Sequence, residues 1–269
     1  MSRSISLSIL LAIGAATPVS AGDSLGPYVG LRIRDSVASG KGSELVASPS
    51  YLERRGSGVV IGASKSGGWF VLTNNHVVAP ERKGLVPVPS VYLDGDWRTG
   101  RVLGTDAKAD LALVHVKSSL KLRAMNLAAA APSDGSKVMT RAFAAGTKWT
   151  TRTATLRHTI ALADGKQAIA PHTHFVNVTF KQGESGGAVV ANGRLVGLIY
   201  GNDVENKAGL CVDQPSIKAF LTRWNNGEVT TASVVPQPIR DARRAETFTP
   251  RPVRNSGPAA NFKPRPLGR

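Results

Sequence analysis

One cysteine, Cys211, is all that the 269 residues carry, so no disulfide can form within the chain and the fold must rest on its core. Its neighbours Leu210 and Val212 mark it as a buried strand residue rather than a reactive thiol. Acidic residues are scarce as well: 18 Asp and Glu face 34 Lys and Arg, a net charge of +16. That balance either favours anionic surfaces such as lipid, wall polymer or nucleic acid, or serves solubility alone. Aromatics make up 6% of residues, and the basic C-terminal stretch holds only Phe248 and Phe262. The interleaving of rings and cations that binds nucleic acid is therefore missing, and no specific nucleic-acid partner is expected. Long apolar runs are missing too. The run from Ile9 to Ala16 is too short to span a bilayer. With Arg3 before it and Val19-Ser20-Ala21 after it, residues 1–21 read as a cleavable export signal, which points to a secreted or periplasmic protein. His172-Thr173-His174 sets two imidazoles at strand spacing, but no Cys or carboxylate cluster accompanies them. Surface histidines or substrate-side contacts are expected there rather than a metal site, and no cofactor is expected.

What is present is enough apolar material, 42% of residues, for one sizeable core or two small ones. Short strands separated by turn signals are predicted at Tyr28–Ile33, Gly58–Gly62, Trp69–Thr73, Val91–Leu93, Arg101–Gly104 and Ala112–Val116. Residues 35–55 read as a polar, Gly- and Ser-containing loop insertion. A second set is predicted at Lys137–Arg141, Thr151–Thr159, Phe175–Phe180, Ala188–Val190, Leu195–Tyr200 and Leu210–Asp213, with Leu127–Pro132 as the crossing between the two. This is an all-β pattern of sandwich or barrel type. One helix is predicted at Pro215–Trp224, where Ile217, Phe220, Leu221 and Trp224 recur with helical spacing. After Trp224 the composition changes. Arg240, Arg243, Arg244, Arg251, Arg254, Lys263, Arg265 and Arg269 lie among prolines, and Thr249-Pro250-Arg251-Pro252 is echoed by Lys263-Pro264-Arg265-Pro266. Residues 225–269 read as a disordered or polyproline-like basic tail, able to meet an anionic envelope polymer or lipid.

The densest chemical signal is Gly183-Glu184-Ser185-Gly186-Gly187. A serine hydroxyl is a weak nucleophile at neutral pH and needs an adjacent base, which in turn needs an orienting carboxylate. Candidates precede it in order: His76 within Asn74-Asn75-His76-Val77, and Asp110 before Leu111-Ala112-Leu113. His, Asp and Ser in that sequence are the chymotrypsin ordering of a catalytic triad. The surrounding glycines permit a tight turn, and the N–H groups of Gly183 and Ser185 are candidates for an oxyanion site.

These motifs resemble those of trypsin-like serine proteases in the form found in bacterial HtrA (Deg-type) members. Val71-Leu72-Thr73-Asn74-Asn75-His76-Val77-Val78 is similar to the histidine motif, Gly56-Ser57-Gly58-Val59-Val60-Ile61 to the strand before it, and Asp110-Leu111-Ala112-Leu113-Val114 to the aspartate motif. The likeness covers residues 28–224 and implies two antiparallel six-stranded β-barrels, chymotrypsin-like, with a C-terminal helix and the active site in the cleft. It implies protein or peptide substrates. Glu184 departs from the Asp that trypsin relatives carry before the serine, where it pairs with a freshly cut N-terminus; no Ile-Val-Gly-Gly start exists here. The segment after Trp224 is short of a usual domain, so the PDZ module of typical HtrA proteins is not expected. An ungapped count of six back from Ser185 puts Thr179 at the floor of the specificity pocket, with Tyr200 and Asn202 as candidates for its wall. A neutral floor favours uncharged, small-to-medium side chains, with Lys181 tolerating acidic ones. Two other classes fit the same residues: a protease-fold binding protein without turnover, and an envelope-anchoring protein that works through its tail.

Overall fold

A computed structural model describes residues 26–38, 45–47, 53–144, 148–158, 160–161, 167–168, 173–204 and 206–229. The expected signal peptide and nearly all of the expected tail lie outside them. The first strands are β1 (Tyr28–Ala38), β2 (Leu45–Ala47), β3 (Arg54–Ala63) and β4 (Trp69–Thr73), followed by a one-turn helix α1 (Asn75–Val78). Next come β5 (Val86–Leu93), β6 (Asp96–Asp106) and β7 (Leu111–Val116). After the crossing segment lie β8 (Lys137–Ala144), β9 (Lys148–Arg157), a minor hairpin of β10 (Ile160–Ala161) and β11 (Gln167–Ala168), and β12 (Thr173–Val176). The chain then forms β13 (Ala188–Ala191), β14 (Arg194–Asp203), β15 (Ala208–Asp213) and the helix α2 (Gln214–Asn225). Pairing is antiparallel throughout the sheets. The order β1-β3-β4-β7-β6-β5 closes through β1 on β5 into one six-stranded barrel, with β2 flanking β1; β12-β15-β14-β13-β8-β9 closes the second.

Three apolar clusters account for the strands that are buried along nearly their whole length, such as β4 and β7. Val60, Val71, Ala112 and Val114 fill the first barrel, and Leu156, Val189, Ile199 and Cys211 fill the second. The residues that point the other way on the same strands, Val59, Leu72, Leu111, Leu113, Leu198 and Val212, form a third core between the barrels together with Ile217, Phe220 and Leu221 of α2. Strands buried on both faces are apolar at every position. The crossing segment is pinned against the second barrel: Leu127 bridges Leu195, and the Ala128 N–H donates to the Leu195 carbonyl. Asp213 caps α2, its carboxylate accepting from the Ser216 N–H, and Pro sits in the first turn as anticipated.

The structure corrects several sequence expectations. Residues 35–55 are not one loop: β1 continues to Ala38, β2 follows, and β3 begins at Arg54. Polar residues conceal these strand ends because they are paired, Asp35 with Arg54 and Arg34 with Glu53. His174 is not a surface histidine. It is buried in β12 and stacked on His158 with ring centroids 4.9 Å apart, while His172 lies outside the described residues. Val229, within the segment expected to be tail, is buried in the core between the barrels.

Candidate active site

His76 sits in the single turn of α1, too short a helix to hold itself. Asn74 precedes it without a side-chain cap, so the open first-turn N–H groups need another acceptor. Asp110 supplies it. One carboxylate oxygen accepts from the His76 main-chain N–H at 2.9 Å, and the other lies 2.7 Å from His76 Nδ1. Because a carboxylate accepts, Nδ1 is the donor, and in the neutral ring Nε2 keeps its lone pair. Asn74 Nδ2 donates to the Asp110 carbonyl at 3.0 Å, tying the other side of the same turn. Asp110 itself has φ of 51°, an uncommon conformation for a residue with a side chain, and all three of these bonds hold it there.

The far end of α1 is held by an ion pair. Arg54 donates to the carbonyls of Val77 and Ala79, and its Nη2 lies 2.8 Å from Asp35 Oδ1. Asp35, 1% exposed, also accepts from the Glu81 N–H. The histidine turn is thus clamped by Asp110 at one end and by Arg54 with Asp35 at the other.

Ser185 lies in the loop between β12 and β13. Ser57 of β3 docks that loop: its N–H donates to the Ser185 carbonyl at 2.7 Å, its Oγ donates to the Gly183 carbonyl and accepts from the Phe143 N–H, and Thr73 binds its carbonyl. Gly186, with φ of 82°, lies so close that a Cβ would sit 2.0 Å from the Ser57 carbonyl oxygen, so no other residue fits. A Cβ on Gly56 would meet both the Val77 side chain, at 2.6 Å, and the Ser185 carbonyl, at 3.3 Å, so the histidine turn and the serine loop close on the same glycine. The Ser185 Oγ donates to the Tyr200 carbonyl at 3.4 Å, and among the described residues it makes no hydrogen bond to His76. Tyr200 is the extra residue of a bulge between Ile199 and Gly201, with no partner residue opposite it in the sheet. The N–H groups of Gly183 and Ser185 have no acceptor among the described residues, whereas those of Glu184, Gly186 and Gly187 are all bonded.

Glu184 points inward and is 0% exposed. Burial raises its pKa, but hydrogen bonds from Arg152, Thr150 and the Lys181 N–H, with the Arg152 charge, outweigh that and hold the carboxyl below its usual range. Of the residues assigned to the specificity pocket, Thr179 is exposed, Tyr200 is half-buried, and Asn202 binds the main chain of Phe180 through both ends of its amide. Phe180 is buried in the second barrel. No role at the site was read for Ser57, Arg54, Asp35, Thr150 or Arg152: Asp35 and Arg54 fell in the expected loop, and nothing local marks the partners of the other three. Among the described residues, no group of three His, Cys, Asp or Glu is placed to hold a metal ion.

A family model described as a trypsin-like peptidase domain matches residues 56–198. The periplasmic pH-dependent serine endoprotease DegQ of Escherichia coli is 32% identical over 162 residues, which cover 58% of this chain and 33% of DegQ. The periplasmic serine endoprotease DegP of Salmonella typhimurium is 32% identical over 147 residues, 53% of this chain and 29% of DegP. The chain thus spans about a third of the length of the curated relatives it matches. Among solved structures, the active form of the Rv3671c protease from M. tuberculosis superimposes with a TM-score of 0.55 at 20% identity, covering 78% of this chain and 93% of that one. The serine endoprotease from Yersinia pestis gives 0.53 at 18% identity, covering 73% and 62%. At these identities the two structures establish a common fold.

Proposed function

This chain belongs to the trypsin-like peptidase family, with a domain of the HtrA (Deg) kind, and from that premise we propose that it is an exported serine endopeptidase. Ser185 attacks the peptide carbonyl while His76 Nε2 takes its proton, and Asp110 steadies the imidazolium that results. The N–H groups of Gly183 and Ser185 receive the developing oxyanion. His76 then gives the proton to the leaving amine, and water releases the acyl group from Ser185 by the same steps in reverse order of partners. The observation that carries this reading is the 2.7 Å bond between His76 and Asp110, made beside a serine loop with two unbonded N–H groups. For attack, the Ser185 hydroxyl has to turn from the Tyr200 carbonyl to His76; such bonds commonly tighten only once substrate is bound.

The bond from Ser185 to Tyr200 favours a second reading, a binding protein of the same fold that does not turn over. One set of measurements separates the two. Ser185 should be labelled by a phosphonofluoridate probe, and His76→Ala should abolish the labelling. Ser185→Ala or His76→Ala should lower peptide hydrolysis by roughly four to six orders of magnitude, because triad members act as a unit. Cleavage of casein by Ser185→Ala at the parent rate would remove the assignment. A peptide library in the same assay reads specificity. Thr179, Tyr200 and Asn202 bring no carboxylate to the pocket, so uncharged small-to-medium side chains are expected, and a dominant Arg or Lys preference would reject that part. The tail, rich in Arg and Pro, is proposed to hold the enzyme at an anionic envelope polymer or lipid, consistent with a periplasmic or secreted site of action.

A further inference from the structure

Next to Ser185 in the chain stands a group that would touch no substrate yet is the most completely enclosed carboxylate near the site. Both oxygens of Glu184 are used: Arg152 Nη1 and Nη2 grip them at 2.9 and 2.8 Å, Thr150 Oγ1 donates at 2.7 Å, and the Lys181 N–H at 2.8 Å. Arg152 and Thr150 lie two residues apart on β9 and so share one face of the strand. Glu184 is one peptide bond from the nucleophile, and its neighbours on either side carry the two unbonded N–H groups. Gly183, with φ of 84°, has no side chain to restrict its peptide planes. Ser57 holds the carbonyls of Gly183 and Ser185; the residue between them is held through its side chain, and a planar guanidinium gripping both carboxylate oxygens fixes orientation as well as distance. A buried ion pair is a poor source of stability compared with apolar residues of the same size. Its presence here is accounted for by geometry.

We propose that the ion pair between Arg152 and Glu184 is the positioning device of the oxyanion site: it holds the N–H groups of Gly183 and Ser185 in place before substrate arrives, using only residues internal to the folded chain. The inference rests on the reading as a serine endopeptidase. Arg152 is anchored on a barrel strand, so the second barrel sets the loop's geometry directly. Arg152→Gln removes the grip while keeping β9 intact; Glu184→Gln keeps the volume and removes the charge.

The test measures kcat and KM on a cleaved peptide, affinity for a peptide boronate that forms a tetrahedral adduct with Ser185, thermal unfolding, and amide hydrogen exchange across residues 181–187. For Arg152→Gln and Glu184→Gln, kcat should fall roughly 100-fold, the effect of losing an oxyanion donor, with KM unchanged and boronate affinity falling in parallel. Arg152→Lys keeps the charge without the fork and should recover part of the loss. It also serves if Arg152→Gln does not fold. A lower melting temperature with parental kcat in the folded protein would reduce the pair to a structural role and overturn the proposal. Should the parent hydrolyse no peptide, the function reading fails by itself, and exchange still decides the lock. Faster exchange confined to residues 181–187 supports it, and unchanged exchange in both variants overturns it.

Discussion

His174 is a residue whose chemistry follows from where it lies. It is 6% exposed, and its Nε2 has no hydrogen-bond partner. Burial lowers its pKa from the ordinary 6.5; the nearby Asp213 carboxylate opposes that, and His158 adds to it. The folded protein therefore keeps His174 neutral at pH values where the unfolded chain takes up a proton. Above pH 6.5 neither state is protonated there, and nothing is lost. As pH falls through 6.5 the unfolded state binds the proton first, so stability declines, by at most about 1.4 kcal/mol per pH unit for one proton. Glu184 and Asp106, whose pKa values are also lowered, lose their contribution only further down, through the carboxylate range. Urea unfolding at pH 7.5 and pH 5.5 should show the loss in the parent and a smaller one in His174→Gln; equal losses would remove His174 as the cause. The adjacent Cys211, opposite His174 in the sheet, has its thiol pushed up by complete burial and stays inert.

At the scale of an element, α1 is the informative case. Four residues cannot form a stable helix alone. The turn exists because Asp110 binds the His76 N–H in it and Arg54 its last carbonyls. Arg54→Gln would strand the buried Asp35 carboxylate and should cost about 3 kcal/mol, measured by urea unfolding. Hydrolysis should fall as well, since the same change frees the end of the histidine turn; parental stability would mean that Asp35 has another partner. This clamp marks the limit of what the sequence makes legible. His76, Asp110 and Ser185 stand in local contexts, glycines and apolar runs, that can be read without coordinates. Asp35 and Arg54 lie 19 residues apart, and Arg152 and Glu184 lie 32 apart, with no periodicity to connect them. Their polarity made the end of β1 look like loop, because a charged residue carries no sign in the sequence that its partner is already waiting across the sheet. The barrel strands themselves were visible, as short segments between turn signals, but their ends were not.

For the whole molecule, charge and core divide the labour. Val229 closes the core between the barrels, so truncation after it should leave peptide hydrolysis intact. The same truncation should abolish binding to phosphatidylglycerol vesicles, and binding by the full chain should weaken as salt screens the tail's Arg and Lys. Binding indifferent to ionic strength would reject the tail's proposed role. The core itself carries a different implication. Leu72 and Leu113 from one barrel and Leu198 and Val212 from the other make a party wall, and α2 is built into it. A party wall cannot be given to one house. Neither half of this chain would be stable alone, since each would leave with half of a wall and a greasy outer face. A change that reshapes the wall on one barrel therefore has to be met by repacking on the other.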